Sequence, residues 1–137
     1  KENMTEKELQ DAIDLIRLSE DQFTFWNTLP NELGLRMIAT PCVFEQYKYQ
    51  KPVDHSAHNV AMAFLDLYEE TGDRLAFAKA KALIDNMTIV QNKGNGQMPT
   101  TWDFRTPYHD SNRSFWTNCT FAAVTALLRM DKITSEE

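Results

Sequence analysis

Asp54-His-Ser-Ala-His-Asn-Val-Ala-Met-Ala-Phe-Leu-Asp-Leu-Tyr-Glu-Glu-Thr-Gly-Asp73, continued by Arg74-Leu-Ala-Phe-Ala-Lys-Ala-Lys-Ala-Leu83, is the stretch that decides the fold. From His55 to Leu65 it contains no Asp, Glu, Lys or Arg. Ala57, Val60, Ala61, Phe64, Leu67 and Tyr68 lie along one side at helical spacing, and Met62, Ala63 and Leu65 fill the others. A helix that is apolar nearly all round is a buried helix. Asp54 or Ser56 can cap its start, and the pattern predicts that it runs to about Glu70. Thr71-Gly72-Asp73 then reads as a tight helix-to-helix turn. Gly72 supplies a left-handed C-cap, and Asp73 caps the next helix. That helix, Arg74 to about Gln91, buries Ala76, Ala80, Leu83, Met87 and Val90 and exposes Arg74, Lys79, Lys81 and Asp85.

Upstream, Thr5 and Glu8 are spaced as a capping box. They open an amphipathic helix whose apolar face is Leu9, Ala12, Ile13, Ile16, Phe23 and Trp26, predicted to end near Asn27, before Pro30. Residues 28–53 form a long connection punctuated by Pro30, Gly34, Pro41 and Pro52. Downstream, Asn92-Lys-Gly-Asn-Gly96 breaks the third helix and begins a second long connection, to residue 112. A last helix is predicted from Asn112–Ser114 to about Asp131. It is uncharged from Ser114 to Leu128 and therefore also reads as buried. No run is strong enough to form a sheet.

The order is outer helix, long loop, inner helix, tight turn, outer helix, long loop, inner helix. Antiparallel packing places both long loops at one end and the tight turn at the other. The expectation is an all-α chain of antiparallel helical hairpins in two layers, residues 1–137 forming a single helical domain.

The totals bound what this domain can do. At 137 residues the chain can enclose a core. A hydrophobic content of 42% and a charged content of 25% are those of an ordinary globular protein. The net charge of −6 and the lack of a Lys/Arg cluster argue against a nucleic-acid-binding surface, so no nucleic-acid partner is expected. No run of about 18 apolar residues occurs, so no membrane span is expected. Cys42 and Cys119 permit one disulfide, but Cys119 lies in an apolar helical run, which favours two thiols. The sequons at Asn3, Asn86, Asn112 and Asn118 read as coincidental, two of them falling inside predicted helices.

Two loop-to-helix junctions share one layout. Glu45-Gln-Tyr-Lys-Tyr-Gln-Lys-Pro-Val-Asp54 leads into the second helix, and Gln97-Met-Pro-Thr-Thr-Trp-Asp-Phe-Arg105 leads toward Phe115-Trp-Thr-Asn118 and the last. Tyr47, Tyr49, Trp102, Phe104, Tyr108 and Trp116 gather at these junctions. Such aromatics either stack on the C–H faces of sugar rings or fill the core beneath the loops. Gln46, Asn59, Arg105 and Asn118 can supply hydrogen bonds to hydroxyls. His55 and His58, three residues apart, share one helix face. They can bind a substrate group or act in proton transfer, or simply be hydrogen-bonded at a helix start. No recognised metal spacing is present, and no metal or other cofactor is expected.

With these hairpins in place, the chain from about Thr5 to Met130 resembles the six-hairpin glycosidase-like superfamily, the (α/α) toroid. The resemblance rests on the Asp54–Leu83 hairpin, with its Tyr68-Glu-Glu-Thr-Gly-Asp73 turn, and on Asn95-Gly-Gln-Met-Pro-Thr-Thr-Trp102 leading into the last helix. It implies a partial toroid with alternating inner and outer helices, since four long helices make two hairpins, and hence the C-terminal segment of a larger toroid. The implied function is that of a glycoside hydrolase or polysaccharide lyase, with this segment forming part of a cleft for an oligosaccharide or polysaccharide. The implied compartment is periplasmic or secreted. Glycoside cleavage uses a pair of carboxyl groups, which makes Glu45, Asp54 and Asp103 the candidate catalytic residues, with His55 beside them. Asp54 and Asp103 have plainer readings, as a helix cap and as a turn residue. The substrate-binding candidates are Gln46, Tyr47, Tyr49, His58, Asn59, Trp102, Arg105, Trp116 and Asn118. A different class is a non-catalytic helical-repeat scaffold whose grooves bind a protein or peptide partner. An open toroid would also expose apolar edges and self-associate.

Overall fold

The computed structural model describes residues 4–26, 40–44, 52, 54–91, 94–101 and 117–136, with Asp54 and His55 described in backbone only. Four helices account for most of them. They are α1 (Glu6–Phe23), α2 (Asp54–Thr71), α3 (Arg74–Val90) and α4 (Thr117–Ser135). Two short strands, β1 (Thr24–Phe25) and β2 (Cys42–Val43), pair antiparallel, Thr24 opposite Val43 and Phe25 opposite Cys42.

The helices start and stop where local chemistry directs. Thr5 accepts a hydrogen bond from the Glu8 amide, and the Glu8 carboxylate accepts one from the Thr5 amide at 2.8 Å, completing the capping box. The Thr5 amide and the Thr5 hydroxyl, which also donates to this carboxylate at 3.0 Å, hold the Glu8 carboxyl below its ordinary pKa, the backbone bond contributing most. At the α2–α3 turn, Gly72 adopts φ 72° and its amide donates to the Tyr68 carbonyl at 2.7 Å. Asp73 caps α3 by accepting from the Leu75 amide at 2.9 Å. The left-handed glycine and the aspartate cap thus fold the two helices back on each other as the sequence predicts.

Two expectations about local structure are overturned. The first helix stops at Phe23 rather than near Asn27, and a small sheet exists. The two facts have one cause. Thr24 turns extended, its amide and hydroxyl both donating to the Ser19 carbonyl, and its backbone then pairs with β2. The Phe44 amide extends the pairing by donating to the Phe23 carbonyl at 2.8 Å, and Phe44 bridges Pro52. Strands of two residues are too short to show a period-2 pattern, and their pairing spans the connection between α1 and α2.

The core lies on the α2–α3 hairpin. Phe64, Leu65, Leu83 and Met87 are its largest fully buried apolar side chains, each contributing roughly 1.5–3 kcal/mol by burial. Tyr68 and Phe77 meet at 5.1 Å between ring centroids, and Trp26 meets Phe64 at 6.0 Å. Cys42 and Cys119 are buried thiols, not half-cystines. Helix α1 rests on this core without burying any residue fully. It is tied down by Glu20, which accepts from Lys79 of α3 at 2.7 Å and from the Trp26 indole at 3.1 Å. The Lys79 ammonium also stands 5.6 Å from the Trp26 ring centre and 5.5 Å from that of Phe64.

The alternation of inner and outer helices appears only in part. Helix α2 is central, packed by α1, α3, α4 and β2. Helix α3, expected outside, buries seven residues, including Asn86. Helix α4, expected inside, buries the small residues Cys119, Ala122, Ala123 and Ala126 but leaves Phe121 at 68% and Leu128 at 65% exposure, with Val124 and Leu127 also open. An uncharged run states that a helix tolerates cover on every side. It does not say that cover is present.

Candidate functional site

Arg129 shows how α4 lies against α2. Its guanidinium reaches from α4 to three groups on α2. It donates to the Glu69 carboxylate at 3.0 and 3.3 Å, to the Met62 carbonyl at 3.2 Å, and to Asp66. Burial works against the Arg129 charge, but the hydrogen bonds and charges of Asp66 and Glu69 outweigh it and raise the pKa above its ordinary value. Asp66 and Arg129 are 63 positions apart, and so are the first residues of the two helices, Asp54 and Thr117. Tyr68 and Glu69 share a groove with Lys132, Ile133 and Glu136, so later residues of α4 lie beside later residues of α2 and the two helices run parallel, with their starts near one level.

The rest of this end follows from the hairpin. Helix α3 runs back antiparallel, so Val90 finishes beside the start of α2. The Gln91 side chain donates to the Gly96 carbonyl at 2.6 Å, and Gly96 takes φ 73°. Asn95 accepts from the Gln97 amide at 2.9 Å, which turns the chain toward buried Met98 and Pro99. One turn before Val90, Asn86 donates to the Pro41 carbonyl at 2.8 Å and so holds residues 40–44 to this same end. Asn86 is 2% exposed, which excludes a glycan at that sequon in this fold.

Asp54 and His55 occupy the first turn of α2, and Thr117 and Asn118 the first turn of α4. Asp54 lies within the helix rather than ahead of it. Asn59 and Asn118 are exposed. His58 is buried, at 1% exposure. Glu45, Gln46, Tyr47, Tyr49, Trp102, Asp103, Arg105 and Trp116 lie outside the described residues. Among the described residues no three His, Cys, Asp or Glu side chains gather as a metal-binding group, and no helix is long and apolar enough to cross a membrane.

The first turns of α2 and α4 hold one acidic residue, Asp54, and no other Asp, Glu, Lys or Arg. The charged residues of α2 and α4 that form the Arg129 cluster stand toward the far end. Two helix N-termini and one C-terminus meet here, so the helix dipoles leave a net positive partial charge. Cys42 is fully buried, and burial pushes its thiol up to about 12, so it supplies no thiolate nucleophile near neutrality. Two groups here carry no signal in the sequence. The Asn86 Oδ1 and the Thr100 hydroxyl are buried and accept or donate no hydrogen bond among the described residues. Asn86 sits on the apolar stripe of α3, where only burial distinguishes it.

Comparison with known proteins returns no matching family model, no matching curated relative and no matching solved structure.

Proposed function

We propose that this chain is a carbohydrate-active protein of the glycoside hydrolase or polysaccharide lyase type, and that the end shared by α2 and α4 forms part of an oligosaccharide cleft in a toroid-like array of helical hairpins. The single observation behind this reading is the parallel, level alignment of α2 and α4. It sets the starts of α2 and α4, into which the two aromatic-polar junctions lead, side by side, with Asp54, His55 and Ser56 in the first turn of one and Thr117, Asn118 and Thr120 in that of the other. A sugar ligand uses that combination. Its ring faces stack on aromatic planes, and its hydroxyls exchange hydrogen bonds with amides. In this reading Trp102 and Tyr49 supply the planes, and Asn59, Asn118, Gln46 and Arg105 the polar contacts. Glu45, Asp54 and Asp103 are the carboxylates available for acid, base or nucleophile roles, with His55 beside Asp54 for proton transfer.

The test is oligosaccharide binding by isothermal titration, across neutral and uronic-acid-containing ligands, for the parent chain and for Trp102→Ala and Tyr49→Ala. Loss of a stacking plane weakens binding by about tenfold or more. Unchanged affinity in variants with parental circular dichroism would refute the cleft. The scaffold reading draws on the bare apolar face of α4. The two readings separate on Asp54→Asn and Asp103→Asn, which abolish sugar cleavage but leave protein binding through α4 untouched.

A further inference from the structure

The bare face of α4 has a counterpart inside the molecule. Arg129 contacts Met62, Asp66 and Glu69, so these residues mark the side of α2 that receives α4. His58, Ala61 and Leu65 continue that side at helical spacing, and all three are fully buried. Moving 63 positions along, the offset between Asp66 and Arg129, gives Phe121, Val124 and Leu128. These are exposed residues of α4. The ridge that α2 uses to hold α4 is thus repeated on α4, with nothing among the described residues covering it.

The opposite surface repeats as well. Helix α4 seats on α2 and α3 through the buried stripe Cys119, Ala122, Ala123 and Ala126. Sixty-three positions earlier stand Ser56, Asn59, Val60 and Ala63, none of them fully buried. Ala63 and Leu67 open there into a groove of about 440 Å³, whose other wall is Leu9, Ala12 and Leu15 of α1. Asp66 and Glu70 line the groove too. The repeated ridge ends in Lys132, the counterpart of Glu69, with charge opposite to those acids.

We propose that the Phe121–Val124–Leu128 ridge of one molecule docks into the α1–α2 groove of a second copy of this chain, in the manner in which α2 already holds α4. A second copy is the occupant because the chain carries both halves of one contact, already joined once internally and each left open once. The contact is head-to-tail. It does not close at two subunits, so assembly continues into rings or open chains. This inference stands apart from the sugar-cleft reading and needs no ligand.

Sedimentation velocity over a concentration series tests it. The parent chain should grow beyond a dimer as concentration rises. Leu128→Glu removes the ridge and Leu15→Glu blocks the groove. Both positions are exposed, so circular dichroism should match the parent, and Phe121→Glu serves as a second ridge variant. Each variant alone should be monomeric, with its association weakened by about tenfold or more. Mixed in equal amounts, Leu128→Glu and Leu15→Glu should form a 1:1 dimer and nothing larger, because one retains the groove and the other the ridge. A parent chain that stays monomeric throughout overturns the proposal. So does a mixture that remains monomeric. Parental association by Leu15→Glu also overturns it, since that result means α4 pairs with α4.

Discussion

Replacing Arg129 by Ala should destabilise the chain by about 2 kcal/mol. The two carboxylate partners are more exposed than the guanidinium, at 69% for the Asp66 side chain and 40% for that of Glu69, against 26% for Arg129. Pairs of this kind contribute roughly 0.5 kcal/mol each. The bond to the Met62 carbonyl involves a charged donor, and losing it costs about 1 kcal/mol more. Urea unfolding followed by far-UV circular dichroism measures the total. The same measurement on Asp66→Ala and on the double variant isolates the coupling, which should be several tenths of a kcal/mol and should shrink at high salt. Arg129→Met, which keeps the apolar stem, should recover part of the loss. A change below about 0.5 kcal/mol for Arg129→Ala would mean that this cluster does not hold α4 against α2. The level alignment of the starts of α2 and α4 would then lose its support.

Gly72→Ala should cost about 1 kcal/mol in the same urea assay. A Cβ at Gly72 meets nothing within 4 Å, so the whole penalty comes from its φ of 72°, and Gly72→Asn should be milder than Ala. The Glu8 carboxyl, lowered by its bonds to Thr5, stabilises the start of α1 fully above the ordinary pKa of 4.5 and loses that effect as pH falls through its lowered value. Helical circular dichroism should therefore drop less on acidification in Glu8→Gln than in the parent, and an identical drop would remove the capping box as its cause. Cys42 should resist maleimide in the native chain near neutrality and react on unfolding. Because its thiol is raised from 9.0 to about 12 on folding, its share of stability is intact below about pH 9 and declines as pH rises toward 12. A denaturation midpoint flat across that range would contradict this.

Periodicity, caps and punctuation make the helices legible in the sequence. The α2–α3 hairpin is the clearest case. A left-handed glycine, a capping aspartate and two apolar patterns act within a few residues of one another, and local sequence contains all of them. The capping box of α1 is equally local. The aromatic and acidic residues of the junctions are legible as candidates by type alone, and Glu45, Tyr47, Tyr49, Trp102, Asp103 and Trp116 lie outside the described residues.

Other features exist only through contacts between distant segments. The β1–β2 pair is four residues long and shortens α1, because an extended Thr24 finds its partner in Val43 far along the chain. The exposure of Phe121 and Leu128 contradicts the buried reading of α4, since composition records which surroundings a helix tolerates and not which it has. His58 is buried and Asn59 beside it exposed because α2 is covered on one side by α3 and α4 and less on the other. By itself the sequence determined the elements and their caps, which depend on backbone geometry over a few residues. The tertiary structure decided which faces are covered and which ends meet, because burial is a property of pairs of surfaces brought together across long separations.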